Sequence, residues 1–277
     1  MGAQAKTSRR ALVVNGALLA AWVLIDSRNR SAAQELVEPA SPQGSPLLED
    51  LVAANRILVN HGVLDTLGHV SVRNNRNRNR YLMSRSRAPK LVESGDIEEY
   101  ELDSRPVRAR EHQRYLERFI HGAIYEARPD VHAVVHNHAE SLIPFGVTQV
   151  PLRPVFQSAA FISAGVPVFE IREAAGVSDL LIKNEALGRA LAAKLADRNA
   201  VLMRGHGAVV VGPSLPMVVR RSINLALNAR LQLEASALGG DINYLDPEEA
   251  KEIMKREDAG LDRSWDLWKR DAMSPIR

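Results

Sequence analysis

Apolar side chains recur along this chain with two spacings, one typical of amphipathic helices and one typical of strands. In the first, Leu47, Leu51 and Leu58 are separated by four and seven residues, which places them on one face of a helix. They predict a helix over residues 47–61, and Gly62 is the residue type that most often follows a helix end. Similar evidence predicts helices over residues 111–127, 184–196, 214–238 and 247–268.

Strands are indicated by alternating apolar and polar positions and by short runs of β-branched residues. Segments 68–73 and 81–84 are of this kind, and the Asn/Arg-rich loop between them predicts a hairpin. We interpret residues 201–211 as one apolar strand that Arg204–Gly207 interrupts. Further strands are predicted over residues 97–102, 131–135 and 168–171. Since several strands are joined by hairpins, we predict an α/β sandwich with a mainly antiparallel sheet.

The N-terminal segment differs from the rest of the chain. Arg9 and Arg10 precede the apolar run Ala11–Ile25, and the small residues Ser31–Ala33 follow it. This is the order of an export signal with a twin-arginine motif, so we predict a periplasmic or exported protein. A membrane anchor and a buried N-terminal helix in a cytoplasmic protein are the alternatives. The predicted organisation is an export signal or anchor over 1–33, a linker over 34–46 and one domain over 47–277.

The same segment carries the excess positive charge. The chain has 36 Lys and Arg against 33 Asp and Glu, a formal net charge of +3. Five of the basic residues but only one acidic residue lie within residues 1–33, which leaves 31 basic and 32 acidic side chains in the remainder. Nucleic-acid binding requires a basic surface. We therefore expect a small-molecule substrate, no nucleic-acid partner, and no stable membrane partner unless the N-terminus is an anchor.

Three histidines carry the clearest chemical signal. His136 and His138 are two residues apart where a predicted strand ends, and such residues point to the same face. His206 lies between two glycines in the predicted apolar strand, where an imidazole is easier to explain as a ligand than as packing. Because the chain has no cysteine, a metal would be held by histidine and carboxylate. Glu117, on the helix before the His-x-His strand, is the candidate acid.

A divalent ion bound by neutral imidazoles would keep its full charge and polarise a substrate carbonyl or enolate. Glu117 beside such an ion would be a fourth ligand, a proton-transfer group, or both in turn. His121 is interpreted either as a residue that orients a ligand or as a packing residue. Three other histidines of the domain are interpreted as surface or structural residues. They are His61, His112 and His132.

The combined motif resembles the class II aldolase and adducin family over about residues 47–245. The resemblance is carried by Glu117 and His121, by Ala133–His138, and by the sequence Arg204–Gly207. It implies a three-layer αβα sandwich with a central, mainly antiparallel sheet. It also implies a homotetramer with active sites at subunit interfaces.

The same resemblance implies one divalent metal ion per subunit, Zn²⁺ or Mn²⁺, with Fe²⁺ as a further candidate. His136, His138 and His206 would hold the ion, and Glu117 would be the catalytic acid or base and a further ligand. Tyr244 resembles a late tyrosine that some members send into a neighbouring subunit's site. A packing role for this tyrosine is the alternative.

Differences from the sugar-phosphate members of the family bear on the substrate. Those members have phosphate-binding serines before the catalytic glutamate, where this chain has Tyr115 and Leu116. His69 and the Ser-Arg-Ser-Arg turn that begins at Ser84 resemble instead the branch containing 3-hydroxy-2-methylpyridine-4,5-dicarboxylate 4-decarboxylase. The predicted substrate-binding residues are therefore His69, Ser84, Arg85 and Tyr115. Arg85 or Arg87 would bind a carboxylate bidentately, and a surface position is the favoured interpretation of Arg87.

These residues favour a metal-dependent carbon–carbon lyase acting on a non-phosphorylated carboxylate. It would decarboxylate a hydroxyaromatic or pyridine carboxylate or cleave a bond by retro-aldol chemistry, since both generate a carbanion or enolate. A class II aldolase or epimerase of a sugar phosphate is one alternative, and Tyr115, Leu116 and His69 count against it. A non-catalytic adducin-like interaction protein is another. It would be expected to lack the three metal-binding histidines, which are all present.

Overall fold

A computed structural model describes residues 45–274 of the protein. Local capping explains where several of its helices begin and end: the Asn184 and Ser214 side chains accept hydrogen bonds from the first turns of the helices that follow them, and Gly62 and Gly239 have positive φ just after helix ends. The helices are α1 (Pro46–Asn60), α2 (Arg118–Ala127), α3 (Ile143–Val147), α4 (Arg172–Ala175), α5 (Glu185–Leu195), α6 (Leu215–Leu238), α7 (Pro247–Met254) and α8 (Leu261–Met273).

Seven strands form one sheet in the order β3-β2-β1-β4-β7-β6-β5. All neighbouring strands are antiparallel except β5 and β6, which are parallel. The prediction of a mainly antiparallel sheet is therefore confirmed. The strands are β1 (His69–Arg73), β2 (Arg80–Ser84), β3 (Ile97–Glu101), β4 (Ala133–Asn137), β5 (Val168–Phe169), β6 (Ala200–Met203) and β7 (Gly207–Gly212).

Helices cover both faces of the sheet, and each face has its own apolar core. Val70, Val135 and Val210 belong to the core beneath α1, α6 and α8. Val134 and Val209 belong to the opposite core, beneath α2 and α5. Because neighbouring residues of a strand point to opposite faces, this alternation produces the predicted three-layer sandwich. The same alternation directs the side chains of the odd-numbered β1 residues and of the even-numbered β4 residues towards α2.

Two of the predicted helices differ from the observed ones. The helix predicted over 111–127 begins only at Arg118. The segment before it is irregular because Glu98 on β3 holds it, with Glu98 carboxylate oxygens 2.8 Å from Arg114 Nε and 3.2 Å from His112 Nδ1. The C-terminal helix predicted as one element is two, α7 and α8, and the left-handed residue Gly260 (φ +69°) precedes the second.

The strand predicted as interrupted over 201–211 is a hairpin. β6 and β7 pair antiparallel, with Met203 opposite Gly207, so the three residues between them form a tight turn. The apolar run continues on both sides of the turn because both strands are buried on both faces. His206 therefore lies at the end of the sheet and not in the middle of a strand.

The predicted export signal, and the linker except for Ser45 and Pro46, lie outside the described residues. Within residues 45–274, no helix combines the length and the apolar character needed to cross a membrane. The predicted start of the domain at residue 47 remains a prediction.

Candidate metal centre

The residues of the predicted metal site come from three parts of the chain and meet at one end of the sheet. His136 is near the end of β4 and His138 follows that strand. His206 is in the turn between β6 and β7, the latter being a direct neighbour of β4. Glu117 is the residue before the first turn of α2, and its side chain makes no capping bond there.

Four ligand atoms converge at this point. His138 Nε2 lies 3.0 Å from His136 Nε2 and 3.1 Å from His206 Nε2. Glu117 Oε2 lies 3.4 Å from the Nε2 atoms of His136 and His206. Atoms that share one cation at about 2.1 Å are separated from one another by roughly 3.0–3.4 Å in tetrahedral or octahedral geometry. The spacing is therefore that of a metal ligand set.

The second nitrogen of each imidazole faces an acceptor. His136 Nδ1 is 3.2 Å from a carbonyl oxygen of β7, and His206 Nδ1 is 3.0 Å from the carbonyl oxygen of Leu180. His138 Nδ1 is 3.0 Å from Oδ2 of Asp65. Acceptors at Nδ1 favour the Nδ1–H tautomer and leave the lone pair on Nε2. Three lone pairs facing one another at these distances repel unless a cation lies between them, so the donor set fits a divalent metal.

Glu117 contributes an ionised carboxylate to this group. Its Oε1 accepts a hydrogen bond of 2.9 Å from the backbone N–H of Ile182, which leaves Oε2 towards the histidines. Burial raises the pKa of Glu117, whereas the neighbouring His136 and His206 lower it. The lowering is the larger of the two effects, so the net shift of the pKa is downward. In turn, burial lowers the pKa of His206 whereas Glu117 raises it, and the net shift is upward.

Two glycines allow His206 to reach the other ligands. Gly205 has φ +64°, a conformation that favours glycine, and it turns the chain out of β6. A Cβ on Gly207 would lie 2.1 Å from the carbonyl oxygen of Asn137. Only a residue without a side chain therefore lets β7 begin this close to the end of β4. The two glycines of the Arg-Gly-His-Gly sequence are explained by these steric requirements.

His69 stands beside the candidate ligands on β1, directly opposite His136. Its ring centroid is 5.0 Å from that of His136 and 4.5 Å from that of Tyr115. Its Nδ1 lies 2.7 Å from Nε2 of His121, which is fully buried. Burial lowers the pKa of His69, and it lowers the pKa of His121 to about 3, so both rings are neutral. His121 was interpreted from the sequence either as a residue that orients a ligand or as a packing residue. In the structure it is a hydrogen-bond partner of His69 and not of a candidate ligand.

The predicted carboxylate-binding turn follows β2. Arg85 Nε lies 2.7 Å from Oδ1 of the buried Asp96, which also binds Arg87 at 2.9 Å. The Nη atoms of Arg85 have no hydrogen-bond partner among residues 45–274. The buried Ser84 hydroxyl, which faces the Tyr115 hydroxyl, makes no well-formed hydrogen bond within that range. Tyr115 donates its hydroxyl to the carbonyl oxygen of Arg87, which connects this turn to His69.

Two other sequence-based assignments are placed differently. Leu116 is 58% exposed within the single chain, so only Tyr115 of that pair contacts His69. The Arg153 guanidinium lies 3.9 Å from the ring centre of Tyr244, whose hydroxyl is 3.4 Å from Gln232 Nε2. These contacts fit the packing alternative, and the catalytic role of Tyr244 remains a prediction.

Sequence reasoning missed the residues that support the site. Asp65 binds His138 through Oδ2, while its Oδ1 accepts the backbone N–H groups of Leu67 and Gly68 at 2.8 Å. An aspartate that accepts hydrogen bonds from the backbone two and three residues later is typical of an Asx turn. The position of Asp65 before Leu67 and Gly68 was therefore the signal in the sequence that could have identified it. No comparable signal marked Ile182, because its contribution comes from the backbone.

Comparisons with known proteins match most of the chain that carries these residues. Residues 49–233 match the family model described as class II aldolase and adducin N-terminal domain. The decarboxylase tropJ of Talaromyces stipitatus is 39% identical over 243 residues, which cover 79% of this chain and 91% of that protein. The 3,4-dihydroxyphthalate decarboxylase of Arthrobacter keyseri is 27% identical over 220 residues, covering 74% of this chain and 85% of that protein.

Solved structures give the same fold. The L-fuculose 1-phosphate aldolase of Glaciozyma antarctica superposes with a TM-score of 0.68 at 24% identity, covering 82% of this chain and 88% of that one. An aldolase II superfamily protein of Pseudomonas syringae also superposes with a TM-score of 0.68, at 20% identity, covering 86% and 94%. At these identities the likeness concerns the three-layer sandwich alone.

Proposed function

This chain belongs to the class II aldolase and adducin family, and from that membership we propose that it is a metal-dependent decarboxylase of a hydroxylated aromatic carboxylate. It is a lyase of the decarboxylase or aldolase type. The observation that carries the finer proposal is the convergence of three Nε2 atoms and Glu117 Oε2, with the aromatic rings of His69 and Tyr115 beside them. The names of the two decarboxylase relatives support the choice of reaction.

The four candidate ligands would hold Zn²⁺, Mn²⁺ or Fe²⁺, all of which accept imidazole and carboxylate. A cation bound there supplies Lewis acidity, which stabilises the negative charge that develops when a carboxylate leaves as CO₂. Glu117 moves the proton: its ionised Oε2 takes the proton of the ring hydroxyl and returns it to the ring carbon that has lost CO₂. Its bond to Ile182 holds Oε1 in place throughout.

The substrate is oriented by residues beyond the candidate ligands. A flat ring would lie against Tyr115 and His69, where aromatic contact contributes roughly 0.5–1.5 kcal/mol beyond burial. Arg85 would bind a carboxylate through its Nη atoms while Asp96 holds its Nε at 2.7 Å. The buried Ser84 hydroxyl would donate to the same group.

A sugar phosphate fits these residues less well. A doubly charged phosphate needs several hydrogen-bond donors and is disfavoured beside an apolar wall. Tyr115, which occupies the place of a phosphate-binding serine in the resemblance, is only 8% exposed and directs its hydroxyl to a backbone carbonyl. We also propose the homotetramer that the family resemblance implies, with active sites at subunit interfaces.

We expect the purified, metal-loaded protein to release CO₂ from hydroxylated aromatic carboxylates and to leave sugar phosphates unchanged. The assay compares 3,4-dihydroxyphthalate and a panel of hydroxybenzoates with L-fuculose 1-phosphate and ribulose 5-phosphate. The same enzyme after removal of metal by a chelator is the control, and its activity should return when the metal is restored. Turnover of a sugar phosphate without turnover of any ring carboxylate would overturn the proposed function.

We also propose that residues 1–33 direct export and are removed. The reason is the order of the Arg9–Arg10 pair, the apolar run Ala11–Ile25 and the small residues that follow. N-terminal sequencing of the mature protein from its native source should then begin near residue 34, and an Arg9→Lys, Arg10→Lys double variant should remain unprocessed. An N-terminus at Met1 or Gly2 on cytoplasmic material would contradict export.

A further inference from the structure

Four buried side chains form a continuous hydrogen-bonded row behind the candidate metal centre. From the site inwards, His69 Nδ1 is 2.7 Å from His121 Nε2, His121 Nδ1 is 2.6 Å from Ser71 Oγ, and Ser71 Oγ is 2.8 Å from the Tyr125 hydroxyl. All four residues are at most 1% exposed. We propose that Tyr125, acting through Ser71 and His121, fixes the tautomer of His69 so that its Nε2 carries a proton and is a hydrogen-bond donor.

Tyr125, at the inner end of the row, determines which atom of each hydrogen bond is the donor. Among residues 45–274, the only side chain that bonds to the Tyr125 hydroxyl is Ser71, and the backbone of Val134 beside it acts as a donor to the phenol oxygen and not as an acceptor. Burial raises the pKa of Tyr125, so the phenol keeps its proton. A buried O–H without an acceptor is penalised strongly enough to change a population by about tenfold or more. Tyr125 therefore donates to Ser71, because otherwise its proton would have no acceptor.

Each following bond is then determined by the number of protons available. Ser71 has one hydroxyl proton, and since Tyr125 is already a donor to its oxygen, His121 Nδ1 is the acceptor that remains for that proton among residues 45–274. Neutral His121 carries its own proton on Nε2 and donates it to His69 Nδ1. His69 must then carry its proton on Nε2. Hydrogen bonds that run in one direction strengthen one another, which reinforces this arrangement.

The consequence for the site is a fixed donor next to the candidate ligands. In an imidazole, Nε2 points away from the partner of Nδ1, so the His69 N–H is directed away from His121. A protonated Nε2 has no lone pair, which excludes His69 both as a metal ligand and as a general base in this tautomer. The group suited to it is an anionic oxygen. Resting on the proposed function, we assign it to the ring hydroxyl oxygen or the carboxylate of the substrate.

The tautomers can be measured directly by two-bond ¹H–¹⁵N correlation spectra of zinc-loaded protein labelled with ¹⁵N-histidine. Signals are assigned by comparison with the His69→Gln and His121→Gln variants. In the wild type we expect protonated Nε2 and unprotonated Nδ1 for both His69 and His121. In Tyr125→Phe, which keeps the ring but removes the terminal donor, we expect His69 to show a mixture of tautomers. We also expect kcat/KM to fall about tenfold, at the lower end for loss of an outer hydrogen-bond partner.

Tyr81→Phe is the matched control. Tyr81 is equally buried and its ring is 5.4 Å from that of Tyr125, but its hydroxyl bonds to Ser104 and the Arg118 carbonyl, outside the row. The His69 signals should be unchanged in this variant. A protonated Nδ1 on His69 in the wild type would overturn the proposal, as would an unchanged tautomer in Tyr125→Phe.

The wild-type spectrum decides the tautomer even where a variant does not fold. Ser71→Ala is a second variant that interrupts the row, because it removes the hydroxyl that bonds to both His121 and Tyr125. It should release the His69 tautomer as Tyr125→Phe does, and an unchanged His69 signal there would also contradict the proposal. The spectra require no substrate. A failure of decarboxylation with the expected tautomers would count against the proposed function alone, whereas decarboxylation with the opposite tautomer would count against this inference alone.

Discussion

His136→Ala, His138→Ala and His206→Ala are each expected to lose the metal ion and all turnover. Each substitution removes one of the three Nε2 atoms that converge within the candidate metal centre. Only two imidazoles then remain beside Glu117, whose carboxylate is also the proposed proton-transfer group. We expect metal affinity to fall by more than about a hundredfold, beyond the 10–100-fold typical of losing an outer hydrogen-bond partner. Metal content after dialysis and turnover with added Zn²⁺ or Mn²⁺ are the measurements.

His132→Ala is the control for this series. His132 lies just before β4, and its Nε2 is 3.3 Å from Arg78 and outside the converging group. It should keep its metal and its activity. Circular dichroism and thermal unfolding should show that all four variants retain the fold. A folded variant at 136, 138 or 206 with full metal content and turnover would remove that histidine from the ligand set.

Glu117→Gln is expected to lower kcat by at least about a hundredfold, the scale of a lost proton-transfer group. The amide oxygen can still accept the hydrogen bond from Ile182, which keeps the side chain in place. The amide cannot take a proton from the substrate at the position of Oε2. Because three imidazoles remain, most of the metal should stay bound. Steady-state kinetics and metal analysis of the same preparation separate the two effects.

Glu126→Gln is the matched control, since Glu126 is an exposed acid on the same helix, α2. Its kcat should equal that of the wild type. A near-normal kcat for folded, metal-loaded Glu117→Gln would eliminate Glu117 as the proton-transfer group. Loss of the metal together with kcat would instead assign Glu117 a required ligand role.

Local patterns along the chain were sufficient to predict most of the helices and strands that form the layers. They also predicted that two of the four candidate ligands, His136 and His138, lie side by side. Caps such as Asn184 and Ser214 bond within one turn of their own helix, so helix starts can be predicted without knowledge of the fold. His136 and His138 share a face because the pleat of a strand repeats every two residues. The motif that includes Glu117 and His206 led to the family, which the comparisons confirm.

What the sequence did not determine depends on contacts between distant residues. The start of α2 is decided by Glu98, which holds the preceding segment against β3 through Arg114 and His112. The hairpin at Arg204–Gly207 was interpreted as an interrupted strand because both arms are buried on both faces and therefore lack the alternation that would separate them.

The sequence by itself determined the layers of the sandwich and the chemical types of the candidate ligands, because helical and strand periodicity and residue chemistry are local properties. Only the tertiary structure decided what stands around those ligands. Asp65 reaches His138 across 73 residues, and His69 meets His136 because β1 pairs with β4. The row from His69 to Tyr125 likewise joins β1 to α2. Such pairings arise when strands and helices pack, and no spacing along the chain encodes them.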